Sequence, residues 1–329
     1  MKKILRLIAV SVLLLTAFGA ADAFAADVIE IKMGFAESDI SPHYQGYKKI
    51  AEKMETLSNG LLKVTLFPSN TLGSERDLYE GAQIGIIDAL IITNAVLTNF
   101  VPEAAVLDQP FLFATEEEAH KVIDGKLGDM LKAASAKKGV QIVGWCDSGF
   151  RDVFSAVPIK TNADIKGKKI RTMENAMHMA AYNAIGAIAT PMPFGDVFTA
   201  LQQKTVDGYE NSVANLYANH FYEVCKYAIR SRVHFAFQGV CISNKVWDRI
   251  PNDLKPALLK GIQEGCDLER QLLHEANEKY EKELVEKFGM VFSDVDRDAL
   301  KALAMPAMSQ FKLNQEWLDV LNSELAAIR

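Results

Sequence analysis

Apolar and charged residues alternate through residues 28–33 and again through residues 62–67, the period-two pattern of strands with one buried face. Between them, residues 44–58 space their apolar positions as a helix does. Asn59-Gly60 supplies the helix stop, and Pro68-Ser69-Asn70 ends the second strand. A further helical stretch, residues 75–84, leads to the wholly apolar run Ala89-Leu90-Ile91-Ile92, as expected of a strand covered on both faces. This grammar predicts a first lobe built on a parallel sheet. A helix starting at Thr115 and running to about Ala136, then a strand over residues 140–145, complete it.

The same grammar restarts near Ser148. Residues 168–171 read as a strand, 176–185 as a helix, and Ala189-Thr190-Pro191 as the next strand and its turn. Residues 196–203 and 216–222 read as helices on either side of the segment 205–211. Residues 233–243 form an apolar strand region long enough to pass between lobes. The pattern over residues 254–288 predicts one uninterrupted helix of roughly 50 Å, longer than a small domain is wide. Such a helix would brace two lobes against each other and suit a hinged closure.

Residues 1–25 change the picture of where this fold works. Lys2, Lys3 and Arg6 precede an apolar block over residues 7–18, and Ala23-Phe24-Ala25 has the small-x-small form of a cleavage site. The segment reads as a secretory signal, and its apolar block is shorter than the ~20 residues a spanning helix needs. With no cysteine after the cleavage site, a lipid anchor is not expected. The mature chain is expected to start near Ala26 or Asp27 and to be exported to the periplasm. Removing Lys2, Lys3, Arg6 and Asp22 takes away a net +2 and moves the formal charge from −6 to −8. An acidic surface without a basic, aromatic-lined stripe sets a nucleic-acid role aside. Cys146, Cys225, Cys241 and Cys266 lie far apart with no CxxC pair, so a metal site is not expected and buried, reduced thiols are.

The chain has no G-x-S-x-G elbow, HExxH, P-loop or strand-linked G-x-G-x-x-G, which weighs against familiar hydrolases and nucleotide enzymes. Of six histidines, only His43, just after the first strand, stands where a first-lobe ligand contact is expected. Glu75 could be a site acid, although acids in a first helical turn also serve the helix dipole. Attention falls on residues 167–175, GKKIRTMEN, where Arg171 ends a short strand. Ligands of open α/β sheets sit beyond the carboxyl ends of strands. A solvated basic run of Lys166, Lys168, Lys169 and Arg171 is the competing reading.

Gly149-Phe150-Arg151, Gly167-Lys168-Lys169-Ile170-Arg171, Pro191-Met192-Pro193-Phe194, Ala200-Leu201-Gln202 and Asp207-Gly208-Tyr209-Glu210-Asn211 occur in that order. Asn59-Gly60, Phe67-Pro68, Leu72-Gly73, Pro102-Glu103 and Pro110-Phe111-Leu112-Phe113 precede them. In this the mature chain resembles the substrate-binding proteins of the tripartite ATP-independent periplasmic (TRAP) transporters, of DctP type. The resemblance implies a two-lobed α/β periplasmic binding protein, class II-like, with a long bracing helix and a ligand cleft between two α/β domains. The expected division is residues 26–147 plus 237–276 for lobe I, and 148–236 plus 277–329 for lobe II.

It further implies that Arg171 pairs with the ligand's acidic group, Arg151 is a second cationic contact and Asn211 an amide contact. The loaded protein, a monomer without a cofactor, would be delivered to a small and a large membrane subunit driven by an ion gradient. Met173 and Ser212 stand where many relatives have proline, which bears on ligand identity. Trp145, Phe150, Met173, Met177, Phe194 and Tyr209 near the motif positions suggest an apolar lining around the charged anchor. Three ligand classes remain open: a short carboxylate or dicarboxylate, a sugar acid with Glu75 and His43 on its hydroxyls, and a small sulfonate. The other readings are a periplasmic lyase or hydrolase using Glu75 or Asp147 as base, and a ligand sensor for a membrane receptor.

Overall fold

The computed structural model describes residues 28–329; the segment read as a secretory signal lies outside the described residues. In chain order the first elements are β1 (Ile29–Gly34), α1 (Pro42–Leu57), β2 (Leu62–Phe67), α2 (Glu75–Gln83), β3 (Ala89–Thr93) and the short α3 (Asn94–Leu97). Then follow α4 (Glu116–Ile123), α5 (Lys126–Ala136), β4 (Val140–Ser155), β5 (Lys169–Thr172), α6 (Ala176–Ala184) and β6 (Ile188–Pro191). The rest is α7 (Val197–Gln202), β7 (Gly208–Asn211), α8 (Val213–Ala218), β8 (Tyr227–Ser243), α9 (Asn244–Trp247), α10 (Lys255–Phe288), β9 (Val291–Ser293), α11 (Arg297–Ala304) and α12 (Gln315–Ile328).

Strands of the described residues join one sheet in the order β2-β1-β3-β8-β4-β7-β5-β6, with β9 on β8. At one end β1 pairs in parallel with β2 and β3; at the other β5 pairs in parallel with β6 and β7. These halves are linked by the antiparallel ribbon of β4 and β8, each long enough to serve both. The strand expected over residues 140–145 therefore does not stop. It runs on through Cys146-Asp147-Ser148-Gly149 with an irregularity in register between Asp147 and Gly149, where Gly149 takes φ +82°. Absorbing the extra residue as a bulge keeps the ribbon paired, so these two of the crossings between lobes are hydrogen-bonded strand and not loose linker.

Apolar side chains fill both faces of each half. In the first half, Ile31, Met33, Ile50 and Ile262 lie in one cluster, and Leu90, Ile92, Val122 and Leu131 in another. In the second half, Ile170, Ala181 and Ile229 share one cluster while Phe154, Leu201 and Tyr209 share another. The predicted long helix exists as α10, whose 34 residues span about 51 Å. Its Leu258, Ile262 and Cys266 enter the first half's core, and Leu284 enters the second's. All four cysteines are free and buried.

Helices α1 and α10 approach closely because glycine stands at their crossing. A Cβ on Gly46 would lie 2.3 Å from Glu269 Cβ and 2.9 Å from its Cα. Alanine would gain about 1 kcal/mol of helix propensity there, but overlap with main chain costs about 1–3 kcal/mol, and steric strain wins. Gly46→Ala is therefore expected to lower the thermal unfolding midpoint by a few degrees, and an equal or higher midpoint would contradict the close packing.

Three further expectations differ from the structure. The helix expected over residues 115–136 is two helices, α4 and α5, which part at Asp124 and Gly125. The helix expected over residues 216–222 is shifted to α8, where Ser212 accepts a hydrogen bond from Asn215 N–H as its cap and left-handed His220 breaks the run. Helix α12, assigned with residues 277–329 to lobe II, instead buries Trp317, Leu321 and Leu325 against Ala119, Val122 and Leu127 of the first half. An amphipathic stripe specifies a buried face, not which lobe covers it.

Candidate functional site

Where the two halves face each other there is a narrow cleft lined from both sides. Its second-half wall starts from Arg171, one residue before the end of β5, with the side chain only 3% exposed. Its Nε and Nη2 donate to Met192 O at 2.9 and 2.8 Å. That grip fixes the guanidinium plane and leaves Nη1 3.6 Å from Glu210 Oε1, buried and without a hydrogen-bond partner. Burial lowers the Arg171 pKa to about 10, with Glu210 opposing that shift and Arg151 adding to it. The group stays cationic at neutral pH.

Arg151 reaches the same wall from β4, which pairs with β7 so that Asp152 opposes Asn211. Its Nε is ion-paired with Glu210 Oε2, and Nη2 donates to Glu210 O at 2.8 Å. Nη1 donates to Ser148 Oγ at 2.9 Å and to Asn211 Oδ1 at 3.1 Å. Asn211 in turn donates through Nδ2 to Asn215 Oδ1 at 2.9 Å. Two guanidiniums thus share one fully buried carboxylate, so these three groups keep a net charge of +1. Glu210 also accepts the Met173 N–H at 3.3 Å, tying the turn after β5 to the anchor.

Carboxylates face this wall from the first half. The N-terminal cap of α2 is a Ser74–Asp77 capping box, so the helix end does not need Glu75. Glu75 turns to the cleft, where its Oε2 accepts from Thr93 N–H and Thr93 Oγ1, each at 2.7 Å. Burial and the nearby Glu37 carboxylate push its pKa up to about 7 against those two hydrogen bonds. Glu37, in the loop after β1, also lines the cleft and is 5% exposed. It accepts a short hydrogen bond from Gln238 Nε2, whose Oε1 accepts one from the Tyr47 hydroxyl.

The two halves are tied together beside the cleft. Asn175 Nδ2 donates to Asp108 Oδ2 at 2.6 Å and to Ala95 O at 3.0 Å, and Asn99 Nδ2 donates to Glu174 O at 2.9 Å. All three contacts fall on the residues just after Met173. The segment GKKIRTMEN therefore contains the guanidinium, a cleft-lining side chain and the inter-lobe tie in succession.

Of the residues singled out from sequence, the cleft brings together Arg171, Arg151, Asn211, Glu75, Phe194 and Met173. It does not include His43 or Trp145. His43 is fully buried between α1 and α10, with Nδ1 2.6 Å from Glu269 Oε1. Burial works against its imidazolium, but the hydrogen bond and charge of Glu269 win and raise its pKa. Trp145 is 1% exposed and packs on Phe237 in the first-half core. Period-two alternation alone would put Trp145 and Arg151 on one face of β4, and the bulge between Asp147 and Gly149 reverses it.

Tyr209, stacked on Phe221 at 4.5 Å, and Met177 are core residues, while Phe150 packs edge-on to Phe235. Glu210 and Glu37 were missed. Glu210 had a usable signal, since two buried arginines require a counter-charge and it adjoins Asn211; Glu37, in a loop, had none.

The model of bacterial extracellular solute-binding protein family 7 (DctP) matches residues 33–314. A 2,3-diketo-L-gulonate-binding periplasmic protein of Escherichia coli is 34% identical over 272 residues, 82% of each chain. A C4-dicarboxylate-binding periplasmic protein of Rhodobacter capsulatus is 30% identical over 255 residues, 77% of each chain. Among solved structures, a TRAP periplasmic solute-binding protein from Polaromonas sp. JS666 bound to D-erythronate superposes with a TM-score of 0.86. It is 31% identical, and the match covers 90% of this chain and 98% of that one.

Proposed function

The chain belongs to bacterial extracellular solute-binding protein family 7, and from that premise we propose that it captures a hydroxylated monocarboxylic acid of the aldonate kind between its lobes. It is a TRAP solute-binding protein for small organic acids, a transport protein and not an enzyme. Its relatives are periplasmic proteins. In this reading the chain is exported by its signal segment, works in the periplasm, and hands its ligand to a small and a large membrane subunit.

The observation that carries the ligand assignment is the asymmetry of charge across the cleft. On one wall, Arg171 and Arg151 keep a net +1 around Glu210, and Arg171 Nη1 has no protein partner. A ligand carboxylate would gain charge-assisted hydrogen bonds there, each worth about 1.5–3 kcal/mol. On the other wall stand Glu37 and Glu75. A second carboxylate reaching them would meet like charge in a buried setting, whereas hydroxyl groups can donate to both. Asn211 and Asn215 add neutral polar groups to the lining. The D-erythronate held by the Polaromonas protein, a hydroxylated monocarboxylate, agrees with this class. The dicarboxylate named for the Rhodobacter relative is the competing class.

Calorimetry against D-erythronate, D-galactonate, succinate, L-malate and 2-hydroxyethanesulfonate separates these. One site per chain is expected, with an aldonate bound at least about tenfold, or 1.4 kcal/mol, more tightly than either dicarboxylate or the sulfonate. A dicarboxylate or sulfonate that outbinds both aldonates overturns the ligand class. Failure of every organic acid to bind overturns the cleft assignment itself.

A further inference from the structure

Resting on the aldonate reading above, we propose that Asn70 is the first-half residue that reads a ligand hydroxyl, and that it meets Gly195 to form the lip that shuts over the bound acid. Asn70 stands in the turn after β2, and its backbone is fixed. Its φ is +56°, its N–H donates to Phe35 O at 3.0 Å, and its carbonyl accepts the Gly73 N–H at 2.9 Å. Asparagine tolerates this left-handed conformation better than most residues. The adjacent Ser69 N–H donates to Glu37 O at 2.9 Å, so the turn and the loop carrying Glu37 form one unit. The side-chain amide lines the cleft without a hydrogen bond to any described residue.

A free amide is what the first-half wall otherwise lacks. Glu37 and Glu75 offer acceptors, and a hydroxyl that donates to one of them still has its own lone pairs to satisfy. Thr93 Oγ1 is committed to Glu75 Oε2 at 2.7 Å, and Ser74 Oγ to Asp77 Oδ2 at 2.7 Å. Among the described first-half side chains that line the cleft, Asn70 alone keeps uncommitted N–H donors. A ligand hydroxyl placed between a carboxylate and this amide is satisfied both as donor and as acceptor.

The other side of the lip comes from the second half. Met192 O grips Arg171, and a few residues on, Gly195 meets Asn70 across the cleft. A Cβ at Gly195 would lie 3.1 Å from Asn70 Nδ2, 3.6 Å from its Cγ and 3.9 Å from its Cβ. These nearest atoms all belong to one side chain of the opposite half. Gly195 does not have a positive φ, so its missing side chain serves the close approach and not a turn. The residue is exposed, so a side chain there meets Asn70 only when the halves are together. One short segment thus holds the anchor and closes the lip.

Calorimetry on the full-length mature protein tests both halves of the proposal, with D-erythronate and the three dihydroxybutanoates that each lack one of its hydroxyls. Asn70→Gly suits the left-handed backbone and removes only the side chain. It is expected to weaken D-erythronate by about tenfold, the worth of one hydrogen bond. Loss of one particular hydroxyl should cost about tenfold in wild type and less than about twofold in Asn70→Gly, because the two deletions remove the same contact. Gly195→Val should weaken D-erythronate by about fivefold in wild type but not in Asn70→Gly, where the obstructing side chain is gone. Its ligand-free unfolding midpoint should not change. An Asn70→Gly protein that binds D-erythronate as wild type does, or shows the same penalty for each hydroxyl, overturns the amide's role while the ligand class stands. Equal Gly195→Val losses in both backgrounds overturn the lip. Wild type that binds none of the four acids, or all of them equally, overturns the ligand class and the amide's role with it.

Discussion

Arg171→Ala is expected to weaken binding of the organic acid by about 100- to 1,000-fold, the equivalent of about 3–4 kcal/mol. The size follows from where the guanidinium sits. At 3% exposure, a ligand that bonds to its free Nη1 does so with water excluded, where charge-assisted contacts are strongest. Arg171→Lys separates charge from shape. Met192 O holds Nε and Nη2 while Nη1 stays free, a division of labour that needs a rigid fork with several donors. An ammonium can satisfy Met192 O or reach the ligand, but not both in the same geometry, so the lysine variant should recover only part of the loss. Glu210 keeps Arg151 as partner in either variant, so the fold should survive, and thermal unfolding without ligand checks that it does. Affinity within threefold of wild type for Arg171→Ala would remove it as the anchor.

Legibility in the sequence followed physical range. Strands such as β1, β3 and β5 and the long helix α10 were readable because a local period, two or 3.6, reports which side chains are covered. What failed was everything decided by a partner far along the chain. The strand expected over residues 140–145 runs on to Ser155 because β8 pairs with it across a bulge. The apolar stripe of α12 cannot say that α4 and α5 will cover it. The same limit explains the site. That Arg171, Arg151 and Asn211 line one cleft was legible in ordered motifs. His43 and Trp145 were misplaced because the burial of one depends on Glu269, far away in sequence, and the facing of the other on a bulge. Glu37 had no local mark at all, although with Glu75 it sets the charge of a whole wall.

That charge balance makes Glu210 the residue whose loss should disturb the free protein most. It is fully buried, touches both guanidiniums and accepts the Met173 N–H, and it offers no surface to water. Glu210→Ala would leave Arg151 and Arg171, 2% and 3% exposed, as neighbouring cations without a counter-ion. Breaking a buried pair in this way costs about 3–5 kcal/mol, and the midpoint of thermal unfolding should fall by about 10 °C. Glu210→Gln keeps an acceptor for Arg151 and has the same shape, so its loss should be smaller, but these three groups rise from a net +1 to +2. An anionic ligand then supplies the missing charge. At the same multiple of Kd, ligand stabilises wild type and variant equally by mass action, whatever Glu210 does. The informative comparison is at equal ligand concentration, where the +2 cluster should bind the anion more tightly and recover more stability. A Glu210→Ala midpoint within two degrees of wild type would show that the two arginines do not depend on it. A smaller ligand shift in Glu210→Gln would show that Glu210 acts by orienting the guanidiniums more than by tempering their charge.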